Sequence, residues 1–198
     1  MREGRNLDGQ VAGTGGAGCD DACLLARIVA GDRRAFEQLY RAYFPRLGRF
    51  LGRMVRSVPL VEEVINDTML VVWQKAASYD GSCKVSTWIF AIAYRKALKG
   101  LRGSDEPVES DTDLYQAGPE LEPDHLLEGR QLRQVLERAL AQLPLAQRVV
   151  MVLTYDHEMG YAEIADVVGC PVNTVKTRMF HARHKLKELL ASQKEDYS

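Results

Sequence analysis

The sequence predicts an all-α protein made of two small helical domains. Three observations carry this. Apolar residues recur at three- and four-residue steps over most of the chain, which is the period of an amphipathic helix. No alternating apolar–polar run of useful length marks a strand. Charge falls in blocks: residues 24–102 carry fourteen Lys/Arg and six Asp/Glu, residues 103–128 carry nine acids and no base, and residues 129–198 carry ten bases and eight acids. The net charge of −1 therefore hides two basic blocks joined by an acidic strap, a pattern that points to nucleic acid.

The elements follow in chain order. Residues 1–23 are glycine-rich, with no apolar core, so they read as a flexible tail and not as a secretory signal. No apolar run approaches the roughly 18 residues of a membrane span, so membrane insertion is not expected. A first domain spans residues 24–102. Phe36, Leu39, Tyr40, Tyr43, Phe44 and Leu47 mark one helix. Val61, Val64, Ile65, Thr68, Met69, Val72, Trp73 and Ala76 mark a second. The stretch "SYDGSCKV" has Asp-Gly turn chemistry, and a third helix runs from about Ser86 to Leu101. Residues 103–129 are acidic and carry three prolines, so they read as a flexible linker.

A second domain spans residues 130–191, followed by a short tail, 192–198. Leu132, Val135, Leu136, Ala139, Leu140 and Leu143 mark a helix that stops at Pro144. Another passes through Val149, Val152 and Leu153. The stretch "YAEIADVVGCPVNTVKTRMFHARHKL" then gives a short helix, a break and a longer basic helix. Ile164, Ala165 and Val168 form the buried face of the short helix. Gly169 permits a sharp turn, because glycine accepts positive φ without strain, and Pro171 suits a helix start. Val172, Val175, Met179, Ala182 and Leu186 form the buried face of the long helix. Its other faces carry Asn173, Thr174, Lys176, Thr177, Arg178, His181, Arg183 and Lys185, a surface fit for phosphate and base-edge contact in a major groove. The motif alone leaves open whether it serves a repressor or a larger transcription machine.

No glycine-rich phosphate loop, nucleophile elbow or HExxH occurs, so no catalytic residue is expected. Cys19, Cys23, Cys83 and Cys170 lack the paired spacing of a zinc site. They read as free thiols of a cytoplasmic protein, with no metal and no cofactor.

The segment "VEEVINDTMLVVWQKAASYDGSCKVSTWIFAIAYRKALKGLR" resembles region 2 of bacterial RNA polymerase sigma factors of the extracytoplasmic-function group. The segment "LAQLPLAQRVVMVLTYDHEMGYAEIADVVGCPVNTVKTRMFHARHKL" resembles region 4 of the same group. Both occur in the right order and spacing, with the acidic strap between them, and together cover roughly residues 24–191. The resemblance implies a region 2 bundle and a region 4 helix-turn-helix that bind core polymerase, through its beta and beta-prime subunits, and promoter DNA. It implies core-polymerase contact by Glu62, Glu63, Asn66 and Asp67, with Asn66 standing where the group usually has glutamine. It implies −10 recognition by Tyr79, Ser82, Lys84, Trp88, Arg95, Lys96, Lys99 and Arg102, with Arg95 and Lys99 replacing the common asparagine and aspartate. It implies −35 recognition by Asn173, Thr174, Lys176, Thr177, Arg178, Phe180 and His181, with His181 where arginine is common. It also implies control by an anti-sigma factor.

Overall fold

The computed structural model describes residues 20–103 and 126–195. Eight α-helices lie among the described residues: α1 (Asp21–Val29), α2 (Arg33–Gly52), α3 (Val58–Lys75), α4 (Val85–Gly103), α5 (Leu126–Ala141), α6 (Leu145–Tyr155), α7 (Tyr161–Val168) and α8 (Val172–Glu195). No strand occurs among them, as the all-α expectation required. Residues 1–19 of the expected flexible N-terminal tail, 104–125 of the acidic linker and 196–198 of the C-terminal tail lie outside the described residues. Three element ends differ from expectation: α1 begins at Asp21, inside the expected N-terminal tail, α5 begins at Leu126, inside the expected linker, and α8 runs to Glu195, inside the expected C-terminal tail.

α1 forms because Leu24, Leu25 and Ile28 share one face and are buried together. The Tyr43 hydroxyl donates to Asp21 Oδ2 at 2.5 Å and ties α1 to α2. At the start of α2, Asp32 caps the helix by accepting from the N–H groups of Arg34 and Ala35 at 2.9 and 3.2 Å. Such a cap satisfies donors that would otherwise have no partner. The Ser57 hydroxyl does the same for α3, accepting from Leu60 N–H. Leu39, Tyr43, Leu47, Phe50 and Leu51 of α2 are fully buried, as are Ile65 and Val72 of α3. Together with Ile89, Phe90 and Ala93 of α4 they fill the core of the first bundle.

The second unit packs α8 against α5, α6 and α7. Leu143, Val149, Val150, Leu153 and Ile164 are buried with Val175, Met179 and Ala182. The expected apolar face of the helix-turn-helix needs two corrections. Val167, not Val168, is the more buried residue of α7, at 1% exposure, while Val172 is 36% exposed. Pro171 precedes the first turn of α8, and its carbonyl accepts from Thr174 N–H and Val175 N–H. That cap position leaves Val172 on the open first turn.

Gly169 ends α7 in the left-handed region at φ +67°, and its N–H reaches Ala165 O at 2.9 Å. A Cβ here would meet nothing within 4 Å. The cost of Gly169→Ala is therefore conformational alone, about 1–2 kcal/mol for an L-residue forced left-handed. A urea melt is expected to report that loss; an unchanged midpoint would mean the turn relaxes.

Cys83 and Cys170 are free thiols, whereas Cys23 is disulfide-bonded, so the expectation of free thiols throughout fails at Cys23. No described helix is long and apolar enough to cross a membrane.

Candidate nucleic-acid interface

Three surfaces carry the residues singled out above. The first is the polar edge of α3. Its apolar stripe faces the core, so the opposite side holds Glu62 and Glu63 in solvent. Asn66 and Asp67, one turn on, are already engaged: the Tyr40 hydroxyl donates to Asn66 Oδ1 at 2.9 Å, and Lys96 Nζ lies 2.7 Å from Asp67 Oδ2. That ion pair brings together a residue expected to meet polymerase and one expected to meet DNA. The two expected surfaces are therefore neighbours on the α3–α4 face.

The second surface is the loop between α3 and α4. Gly81 takes φ +74°, and the Asp80 carboxylate accepts from Ser82 N–H at 2.9 Å, the turn that Asp-Gly chemistry calls for. The Ser82 contacts hold the Asp80 carboxyl below the usual carboxylate range. The Tyr79 hydroxyl donates to the Cys83 carbonyl, and its ring tilts against Trp88 with centroids 5.6 Å apart. Trp88 is half-buried, so it both packs the loop and leaves ring surface open. Arg95, Lys99 and Arg102 project from α4 into solvent. An aromatic pair beside a row of cations is the composition that binds single-stranded nucleic acid by stacking and charge.

The third surface is α8. Asn173, Lys176, Thr177, Phe180 and His181 are exposed and Thr174 is half-buried. The Thr177 hydroxyl donates to Asn173 O, one turn back on the same helix, at 3.0 Å. Phe180 is 69% exposed, and its ring meets the His181 ring edge-on at 5.5 Å. Arg178 departs from the group. It is half-buried, and its Nη1 points back to Cys170 Sγ at 3.7 Å.

Periodicity does not reveal two further residues. Arg148 reaches three backbone carbonyls: Ala141 O at 2.6 Å, Leu143 O at 3.0 Å and Arg53 O at 3.1 Å. His157 stands edge-on to Phe90 at 4.7 Å and to Phe50 at 6.0 Å. Both sit where the second unit meets the first, and only a long-range contact gives them meaning.

Residues 39–106 match the family model described as Sigma-70 region 2, and residues 133–186 match the one described as Sigma-70, region 4. The ECF RNA polymerase sigma factor RpoE of Cereibacter sphaeroides is 35% identical over 160 residues, spanning 79% of this chain and 87% of that one. The chain belongs to the extracytoplasmic-function (ECF) group of sigma-70 factors. The ECF sigma-E factor of Escherichia coli K12 is 29% identical over 176 residues, with 84% and 92% of the two chains covered. Among solved structures, CnrH in complex with the cytosolic domain of CnrY superposes with a TM-score of 0.65 at 25% identity, covering 87% of this sigma factor and 97% of CnrH. RpoE from Bartonella quintana, in complex with the anti-sigma factor NepR, shares the fold at a TM-score of 0.63 and 24% identity, over 79% and 96% of the two chains. The function that follows from membership is promoter-specific transcription initiation, as a specificity subunit of RNA polymerase.

Proposed function

We propose that this sigma factor divides its work between residues 24–102 and 130–191. The first segment docks on core polymerase through the α3 edge, with Glu62 and Glu63 as the free acids and Asn66 and Asp67 behind them. The loop holding Tyr79, Ser82 and Lys84, with Trp88, takes up a base from the opened −10 strand. Extracting a base costs a few kcal/mol, offset by stacking and hydrogen bonding in the receiving site. Arg95, Lys96, Lys99 and Arg102 hold the strand's phosphates. The second segment lays the start of α8 in the −35 major groove, with Asn173, Thr174, Lys176, Thr177, Arg178, Phe180 and His181 facing DNA. The acidic linker joins the two. The protein works in the cytoplasm without catalytic residues, metal or cofactor of its own. Its activity is held in check by an anti-sigma protein, as the complex of Bartonella quintana RpoE with the anti-sigma factor NepR suggests for this chain.

The observation that carries the docking assignment is the pair of solvent-facing acids, Glu62 and Glu63, on a helix whose other side is wholly committed to the core. A free acidic edge next to a cationic DNA face suits a subunit that must bind protein and nucleic acid at once, because complementary charge sets orientation as well as strength. Glu63→Arg is expected to weaken core binding about tenfold or more by placing like charge at the contact. Helical content and melting temperature should not change, since Glu63 is exposed. Pull-down against purified core polymerase measures it, and undiminished affinity in a folded variant would remove the α3 edge from the interface.

A further inference from the structure

Four arginines follow one another along the end of α2 and the turn after it: Arg46, Arg49, Arg53 and Arg56. Steps of three and four residues place the first three on one side of the helix. Arg148 of α6 joins them by donating to Arg53 O at 3.1 Å. Their charges converge. After burial, the charges of Arg56 and Arg53 pull the Arg148 pKa down, and those of Arg46 and Arg49 do the same to His157. Those of Arg53 and Arg49 oppose the rise that burial imposes on Asp156.

Like charges gathered in this way repel unless counter-charge answers them. The described residues answer only in part. Arg53 pairs with Glu137 at 3.3 Å, and Asp156 lies in the field of Arg53 and Arg49. Arg46 lies over the Tyr43 ring at 4.6 Å, and Arg148 is taken up by backbone carbonyls. Arg49 and Arg56 are exposed and form no ion pair among the described residues.

The chain carries counter-charge within reach. Residues 104–125 hold eight acids and no Lys or Arg, and five of the eight, Asp105, Glu106, Glu109, Asp111 and Asp113, come directly after α4. α4 delivers them beside the ridge. Gly100 packs so closely on Leu60, four residues past Arg56, that an added Cβ would lie 3.1 Å from Leu60 Cδ1. At its far end the linker runs into α5, whose Glu137 is already on Arg53. Extended, residues 105–113 reach about 30 Å, well beyond the roughly 10 Å rise from Arg46 to Arg53. The loop expected to meet the −10 strand enters α4 about 22 Å along the helix from Gly100, so a strand held there does not answer the ridge.

We propose that the arginine ridge at the end of α2 is a docking surface for the acidic residues 105–113 of this chain, which lie along it as an intramolecular polyanion and keep other anions off. Tethering presents the linker at an effective concentration in the millimolar range. Single exposed ion pairs are weak, so the contact depends on several at once, and salt dissolves it. It requires neither polymerase nor promoter.

Nuclear magnetic resonance of the full chain tests this. Arg49→Gln with Arg56→Gln is expected to shift the backbone amide resonances of residues 105–113 and to leave those of α8 in place. Raising the salt from about 0.15 M to about 1 M, which shortens the screening length from about 8 Å to about 3 Å, is expected to produce the same linker shifts in the wild type. Replacing the five acids (Asp105→Asn, Glu106→Gln, Glu109→Gln, Asp111→Asn and Asp113→Asn) is expected to move the Arg49 and Arg56 Nε–H resonances. Circular dichroism establishes that each variant is folded, and should the arginine variant fail there, the linker variant carries the test. A promoterless DNA duplex is expected to move the two arginine resonances only after the acids are neutralised. Linker amides unmoved by the arginine substitutions, or arginine resonances unmoved by the linker substitutions, would overturn the proposal. So would a duplex that moves the arginine resonances of the wild type while its linker stays in place, which would make the ridge a nucleic-acid site instead.

Discussion

Arg148→Met is expected to destabilise the chain by about 3 kcal/mol, because it strips three backbone carbonyls of one charged donor. Hydrogen bonds to a charged group contribute about 1.5–3 kcal/mol each, and acceptors left buried without a partner bear a further desolvation cost. Against this stands the relief of a half-buried cation: burial, then Arg56 and Arg53 nearby, pull the Arg148 pKa below the usual guanidinium value. That strain shows the site is costly to hold, and the three carbonyls explain why it is held. Ala141 O and Leu143 O belong to the end of α5 and the turn after it, where a helix leaves carbonyls without intrahelical partners. Arg53 O belongs to the end of α2. One guanidinium thus closes two helix ends and joins the two domains. A loss of about 3 kcal/mol lowers the melting temperature of a chain this size by about 10 °C. Arg148→Lys should recover little of it, since one ammonium lacks the planar fork that reaches several acceptors at once. Differential scanning calorimetry of both variants measures this; a melting temperature within about 2 °C of the wild type would mean that water replaces the guanidinium at no cost.

Arg148 also marks where sequence periodicity stops being informative. α2, α3 and α8 were legible because each has a single buried stripe at helical spacing: Leu39, Tyr43 and Leu47 on α2, or Val175, Met179 and Ala182 on α8. Gly169 was legible because a left-handed turn has few other candidates. The Asp80–Gly81 turn was legible for the same reason. α1 was not, since nine residues with only Leu24, Leu25 and Ile28 buried merge into the tail's composition. Val167 and Val168 could not be ranked, because adjacent positions on a short helix differ in burial only through what packs on them. Arg148, His157 and the Lys84–Glu163 pair have partners 95, 67 and 79 positions away, and no local period encodes those. One signal did stand in the sequence. The stretch "WIFAIAY" in α4 is apolar on every side, which a helix on the rim of one bundle does not require. α7 supplies the second cover that those residues need.

Acidification from pH 7 to pH 5 is expected to open the two-domain packing while the helices persist. Burial, reinforced by Arg46 and then Arg49, lowers the His157 pKa from its ordinary 6.5 to about 4, and its Nε2 is buried without a hydrogen-bond partner. The closed chain therefore binds fewer protons at this site than the open chain. Closure is at full strength above pH 6.5 and weakens as pH falls toward 4, with about 2 kcal/mol lost by pH 5. The other groups facing the junction act lower down or in the opposite sense. Partial desolvation raises the Asp156 carboxyl, opposed by Arg53 and Arg49, so its protonation relieves a cost and favours closure. The Gly160 N–H and Lys84 hold Glu163 below the usual carboxylate range, so its bridge to Lys84 survives until pH falls below that range. Among the described residues at the junction, the window from 6.5 to 5 thus belongs to His157, whose charging opposes packing. Scattering at pH 7, 6 and 5, with circular dichroism alongside, is expected to show expansion without loss of helix. His157→Gln should remove the response in that window, because an amide fills the niche without titrating. Expansion of equal size in His157→Gln would assign the effect to other groups. No expansion in the wild type would mean that His157 takes its proton inside the closed chain, with water or a shifted Arg46 making room for the charge.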